Sequence, residues 1–231
     1  MIEQPLSNQR IIDCLNTDYG IKVTRLTFLP IGADMNASVY KAEARDQLSY
    51  FIKLKRGHHQ DISATIIALL HEAGIQQIIP PIKTNNGQPI QYIDDFTLIV
   101  SPFIEGKDGF SRDLTDEQWV TLGKVMRQIH EIDLPPSVKL MVRRENYSPK
   151  WREAVRSLYA SIESELCIDE ISSQLMTFMK NQATVIHRLV DRAEQLGKQI
   201  QDQVPEFVLC HSDIHGGNVL IDGNNLIYIG V

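Results

Sequence analysis

The stretch Val208-Leu209-Cys210-His211-Ser212-Asp213-Ile214-His215-Gly216-Gly217-Asn218-Val219-Leu220-Ile221 constrains this chain more than any other, because it sets an Asp and an Asn five residues apart between two apolar runs. Apolar runs on either side of a polar, glycine-containing segment read as strand, loop, strand. The loop presents a carboxylate and an amide together, and the rest of the chain has to supply a frame that carries it.

That frame changes character near Pro102. Ser7 is placed to cap a helix bearing Ile11, Ile12 and Leu15 on one face, with Gly20 as its stop. Strands are predicted over 22–29, 38–43 and 48–55, and a helix runs from Asp61 to Gly74. Two more strands, 78–82 and 96–101, are expected to flank the turn Asn85-Asn86-Gly87-Gln88, the first confined to an edge by Pro80 and Pro81. Beyond Pro102 the pattern is helical. Thr115 and Gln118 form a capping-box signature opening a helix to about Glu131, and Ser148-Pro149 opens another. The stretch 169–201 reads as one helix, or two joined near Asn181, with Met126, Phe178 and Met179 expected in the core.

With 231 residues, 43% hydrophobic and 23% charged, the composition is that of an ordinary globular chain. The net charge of −6 argues against nucleic acid as a partner and suits a cationic small molecule. Cys14, Cys167 and Cys210 lack CxxC spacing, no signal-like N-terminus is present, and no run approaches the roughly 18 apolar residues of a membrane span. A cytoplasmic monomer away from membranes is the expectation.

The chemistry lies in the loop. In an H-x-D-x-x-x-x-N segment that serves phosphoryl transfer, the Asp orients or accepts the proton of an attacking hydroxyl and the Asn holds Mg²⁺ against the phosphates. His211, Asp213 and Asn218 fit that pattern position for position. A zinc cluster of Cys210, His211 and His215 is disfavoured, because histidines four apart share a face only on a helix and Gly216-Gly217 interrupts one. A turn Asp bonding its own backbone and an Asn capping the next strand are the plain alternatives.

This loop resembles that of the aminoglycoside phosphotransferase and choline kinase-like family. Phe51-Ile52-Lys53-Leu54-Lys55, the segment 122–131, Tyr147-Ser148-Pro149-Lys150-Trp151-Arg152-Glu153 and the segment 186–191 extend the likeness over nearly the whole chain. The resemblance implies an α+β, protein-kinase-like two-lobe fold: a strand-rich lobe over 1–101, a hinge over 102–105, and a helical lobe over 106–231 with the catalytic loop at 210–219. It implies ATP and Mg²⁺ as cofactors and a hydroxyl of an aminoglycoside or aminocyclitol, such as spectinomycin, as acceptor. Another small alcohol (choline, homoserine or a sugar) and a non-catalytic pseudokinase stay open.

Carried over residue by residue, the resemblance makes Asp213 the catalytic group, Asn218 the metal ligand and His211 a support for the loop. Lys53 would meet nucleotide phosphates with Asp61 as its carboxylate partner, and Ser101, Pro102, Phe103 and Ile104 would form the hinge facing the base. A solvated strand face is the alternative for Lys53, and a helix-start acid favoured by the dipole for Asp61. The loop 32–37 has one glycine and no glycine-rich phosphate signature. In the family, a second metal-binding Asp follows the strand begun by Leu226-Ile227-Tyr228-Ile229, and a further helical portion follows that. Here Gly230-Val231 stand at that point, so slow turnover is expected, with apolar faces exposed on 119–129 and 185–196.

Overall fold

The computed structural model describes residues 6–32, 34–58, 62–164, 169–203 and 206–230. They divide into two compact units, Met1–Val142 with Val208–Val231, and Arg143–Phe207.

In the first unit, α1 (Asn8–Asp18) starts where Ser7 accepts the Arg10 N–H, and it ends before Gly20, whose φ of +69° suits glycine. Its face of Ile11, Cys14 and Leu15 packs on a five-stranded antiparallel sheet, ordered β1 (Val23–Leu29), β2 (Ala37–Ala44), β3 (Ser49–Arg56), β5 (Phe96–Pro102) and β4 (Gln91–Ile93). Period two decides which side chains enter this core: Tyr40 and Ala42 from β2, Ile52 and Leu54 from β3, Leu98 and Val100 from β5. Each large aliphatic side chain buried there contributes about 1.5–3 kcal/mol. The alternate residues, Val39, Lys41, Phe51, Lys53, Lys55 and Ile99, take the other face, with Lys53 in register with Val39 and Ile99.

Helix α2 (Ile62–Glu72) is followed by Gly74 at φ +94°. The strand predicted over 78–82 does not form; β5 pairs with β4 instead. Pro80 and Pro81 have no N–H to give a ladder, and the segment serves as a strap. At one end Ile78 bridges Ile229, whose N–H donates to Gln77 O at 2.8 Å. At the other, Ile82 N–H donates to Val100 O at 2.7 Å, so the strap is hydrogen-bonded to both sheets of this unit.

The second sheet is antiparallel, β6 (Gly106–Asp108), β7 (Val219–Asp222) and β8 (Ile227–Ile229), with β7 in the middle. Strand β6 carries no apolar pattern and was not expected. A Cβ on Gly106 would stand 2.4 Å from Ile221 O, so backbone proximity replaces side-chain packing there. The strand expected over Val208–Cys210 is absent as well, because that segment runs into the loop without a partner strand. Helix α3 (Asp116–Glu131) lays Leu122, Val125 and Ile129 against Ile78, Val219, Ile221 and Ile229, while Trp119 and Val120 remain exposed. A short α4 (Pro136–Lys139) follows.

The second unit holds α5 (Lys150–Ser164), α6 (Glu170–Asn181) and α7 (Ala183–Gln203). The expected break falls at Gln182, and Asp169 caps α6 by accepting the Ser172 N–H at 2.9 Å. Met179 is buried as expected, but Phe178, one residue and about 100° round the helix, is exposed. Val185, Leu189 and Leu196 of α7 are exposed too. Arg156 joins α5 to Asp191 and Glu194 of α7. Lys198 and Arg156 hold the Glu194 carboxyl down to about 2, so its contribution is present above the usual Glu range and fades as pH falls towards 2. Among the described residues no helix is long and apolar enough to cross a membrane.

Two predictions follow from this packing. Gln118 is buried, accepts Thr115 N–H through Oε1 at 2.9 Å and donates through Nε2 to Asn225 O at 2.8 Å. Gln118→Leu keeps the volume and strands both backbone groups, so urea titration should show a loss of about 2 kcal/mol, against about 1 for Thr115→Ala. The Cys14 thiol donates to Asp18, and burial with that contact pushes its pKa up to about 12, whereas Cys210 is exposed. Iodoacetamide at pH 8 should alkylate Cys210 and spare Cys14, as read by peptide mass spectrometry.

Candidate active site

The loop between Cys210 and Val219 is held at both ends by the second sheet. Gly230 N–H donates to Asn218 O at 2.8 Å, and the His211 ring reaches Gly230 O at 2.8 Å through Nε2. Because His211 Nδ1 accepts the Asp213 N–H at 3.3 Å, the proton belongs on Nε2, which fixes the tautomer. His211 thus bridges the Asp213 backbone and the end of β8 (Ile227–Ile229) by hydrogen bonds. Between them Ser212 sits at φ +69°, a left-handed backbone costing a residue with a Cβ about 1–2 kcal/mol.

That turn leaves Asp213 outside, its side chain 79% exposed. Asn218 then closes the loop: its Nδ2 donates to Asp213 O at 2.7 Å and stands 3.3 Å from Asp213 Oδ2. With Nδ2 committed to a carbonyl, the amide orientation is determined, and among the described residues Oδ1 takes no hydrogen bond. The oxygens at the loop, Asp213 carboxylate and Asn218 Oδ1, are the hard donors that suit Mg²⁺ or Ca²⁺. Gly216–Asn218 form one 3₁₀ turn, capped by His215 Nδ1 accepting the Gly217 N–H at 3.0 Å. Next to the loop lies a cavity of about 750 Å³, lined chiefly by Phe110, Leu114, Trp119, Met126, Ile214 and His215.

Of the residues singled out from sequence, His211, Asp213 and Asn218 come together in this loop. Lys53 lies at the centre of the large sheet, half-buried on the face away from α1 (Asn8–Asp18). Ser101 and Pro102 finish β5, paired with Phe51 and Tyr50. Phe103 N–H is engaged by Ser49 O at 3.0 Å and Pro102 has none, while the Ile104 N–H, beyond the strand, has no hydrogen-bond partner among the described residues. Asp61 falls outside the described residues, and Glu72, at the far end of α2, pairs with Lys83 at 3.2 Å.

Three contributors escaped the sequence. Lys41 pairs with Glu105 and lies 4.4 Å from the Phe103 ring centre, bracing the segment after β5 against β2. Strand alternation places Lys41 on the Lys53 face, yet nothing local announces a partner 64 residues on. Phe110 and His215 stack beside the loop, a contact that the unpredicted strand β6 makes possible.

Known proteins bear on this geometry. The model of the phosphotransferase enzyme family matches residues 27–231. A spectinomycin phosphotransferase, solved in complex with ADP and spectinomycin, superposes with a TM-score of 0.87 at 46% identity, covering 98% of this chain and 68% of that one. An AMP-bound complex of spectinomycin phosphotransferase gives 0.84 at 43%, over 97% of this chain and 69% of that one. An aminoglycoside phosphotransferase from Alicyclobacillus acidocaldarius shares the fold, with a TM-score of 0.60 at 15% identity over 99% of this chain and 66% of that one. No curated protein matches. The kinase-like fold expected from the loop is therefore the fold adopted. With the family's match running from residue 27 through the loop, and 46% identity to a solved member, the chain belongs to the phosphotransferase enzyme family and is by that membership a small-molecule kinase.

Proposed function

We propose that this chain transfers the γ-phosphoryl group of ATP to a hydroxyl of spectinomycin or a closely related cationic aminocyclitol. The observation that carries the reading is the Asp213–Asn218 pair: an exposed carboxylate whose backbone carbonyl is bonded to an amide with its oxygen left open. The similarity to a spectinomycin phosphotransferase supplies the acceptor, and the net charge of −6 is compatible with a cationic one.

Phosphoryl transfer asks a protein mainly for positioning and charge stabilisation. Asp213 is the group that orients the acceptor hydroxyl and takes its proton, reaching into solvent from a backbone that His211 and Asn218 hold still. Lys53 is assigned to the nucleotide phosphates, on the sheet face it shares with Val39 and Ile99. The hinge meets the base through 101–104, where Ile104 has the available N–H and Lys41 braces Phe103 and Glu105. Asn218 Oδ1 is the residue donor for Mg²⁺, which when bound with the nucleotide neutralises phosphate charge. The lobes of this reading are 1–101 and 106–231, and a reducing cytoplasm suits its unpaired cysteine spacing.

The test is single-turnover transfer from Mg²⁺-ATP to spectinomycin, followed by mass spectrometry of the product, with nucleotide binding measured by calorimetry. Asp213→Ala should lower the transfer rate by about 100-fold or more and leave ATP affinity within a few-fold. Transfer by the variant at the wild-type rate overturns the reading. So does nucleotide binding by the wild type without transfer to spectinomycin, choline, homoserine or sugars, which is the behaviour of a pseudokinase.

A further inference from the structure

We propose that Phe110 is a positioning residue for the Asp213–Asn218 pair, acting through His215; this rests on the phosphotransfer reading above. Phe110 follows β6 (Gly106–Asp108) in a turn that Asp108 organises, its carboxylate accepting the Phe110 N–H at 3.1 Å and the Ser111 N–H at 2.7 Å. The turn is fastened to the loop by one backbone donor: Gly109 N–H lies 2.9 Å from Gly216 O and 3.0 Å from Val219 O. So anchored, the Phe110 ring stacks on His215 with centroids 5.5 Å apart and planes 18° from parallel.

The ring is also part of what makes the glycine pair necessary. A Cβ on Gly216 would come within 2.8 Å of Phe110 Cδ1, and one on Gly217 within 3.0 Å of Phe110 Cε2. Phe110 shares that space with the Gly109 backbone, whose C would lie 3.0 Å from a Cβ on Gly216, and with the His215 ring, whose Cε1 would lie 2.9 Å from one on Gly217, so the loop has two glycines where the turn and the ring lie on it. Beneath the ring, His215 is held with Nδ1 on the Gly217 N–H at 3.0 Å, and its Nε2 stands 3.3 Å from Asn218 Nδ2 and 3.8 Å from Asp213 Oδ2. The chain of contacts runs from Phe110 to His215 to the 3₁₀ turn, and from that turn to the amide that closes on Asp213 O.

Stability does not explain this aromatic. Phe110 is 74% exposed and belongs to neither hydrophobic core of its unit, so its burial contributes little. What the ring restricts is the freedom of a glycine-rich turn, and misplacement of a reacting group by about 1 Å can cost ~100-fold in rate.

Phe110→Ala and Phe110→Tyr separate positioning from the other uses of an exposed ring. In single-turnover transfer to spectinomycin, Phe110→Ala should slow the chemical step about tenfold, with KM for Mg²⁺-ATP and the Tm close to wild type. Phe110→Tyr should restore the rate. Amide hydrogen exchange, which needs no turnover, should rise at Gly217 and Asn218 in the Ala variant alone. An unchanged rate and unchanged exchange in Phe110→Ala overturn the proposal, as does a rate loss that only follows a fall in Tm. A rise in KM for spectinomycin with the rate at saturation intact also overturns it, and assigns the ring to acceptor contact instead. If the wild type transfers nothing, the phosphotransfer reading fails by itself, and exchange at Gly217 and Asn218 still decides whether Phe110 orders the turn.

Discussion

The hydrogen bond from Asn218 Nδ2 to Asp213 O, 2.7 Å long, is the constraint around which the first unit is arranged. It ties the start of the loop to its end, and it works only while both ends are stationary. Asn218 is stationary because it leads into β7, the central strand of the small sheet, and because Gly230 N–H holds its carbonyl. Asp213 is stationary because His211, fixed to Gly230 O, accepts its N–H. One residue at the end of β8 therefore anchors both halves of the site, and β8 in turn is bonded to Gln77 and packed under α3 (Asp116–Glu131). Bond strength matters less here than the number of independent ties, since each is worth only about 0.5–1.5 kcal/mol.

The large sheet shows the same economy in its two faces. One is filled by Tyr40, Ile52, Leu54, Leu98 and Val100 against α1 (Asn8–Asp18), while the other mixes the cations Lys41, Lys53 and Lys55 with Val39, Phe51 and Ile99 at the same alternation. Lys41 pairs with Glu105 and lies over Phe103, and in doing so it fixes the segment that follows β5. A polyanionic ligand on this face would meet charges already in place, which is why the phosphate assignment of Lys53 sits well with its register.

Much of this was legible in the residues. Ser7, Thr115 with Gln118, and Gly20 and Gly74 mark helix ends through local chemistry, and the structure has helices ending there. Asp213 and Asn218 were legible because the loop is contiguous, so spacing alone sets their proximity. Illegible were the features made by distant contacts. Strand β6 has the sequence Gly-Lys-Asp and exists only because Ile221 offers its backbone. Pairing chooses β4 over 78–82 as the neighbour of β5, a competition settled by two prolines and a free edge. Phe178 follows the helical period and still faces outward, because periodicity gives a face only to within one residue at its margin.

Cost distinguishes a site from a connection. Joining Cys210 to Val219 does not require Ser212 at φ +69°, two adjacent glycines with their large entropy loss, or a carboxylate held in water. A loop whose only task was connection would relax these features through ordinary turn residues in unstrained backbone. Here they occur together within seven residues, Ser212 to Asn218, and each has an identifiable effect: the left-handed residue carries Asp213 outward, the glycines admit the Phe110 ring, and Asn218 commits its nitrogen so that its oxygen is left open. Left-handed backbone occurs elsewhere, at Gln47, Asp94, Tyr147 and Asn225, but at Ser212 it is combined with the glycine pair and overdetermined by the surrounding hydrogen bonds, which is the pattern of a preorganised site. Nucleotide binding on the large sheet would need none of it. That preorganisation is what the proposed transfer to a hydroxyl asks of this loop, and it is more than a fold that only held ATP would require.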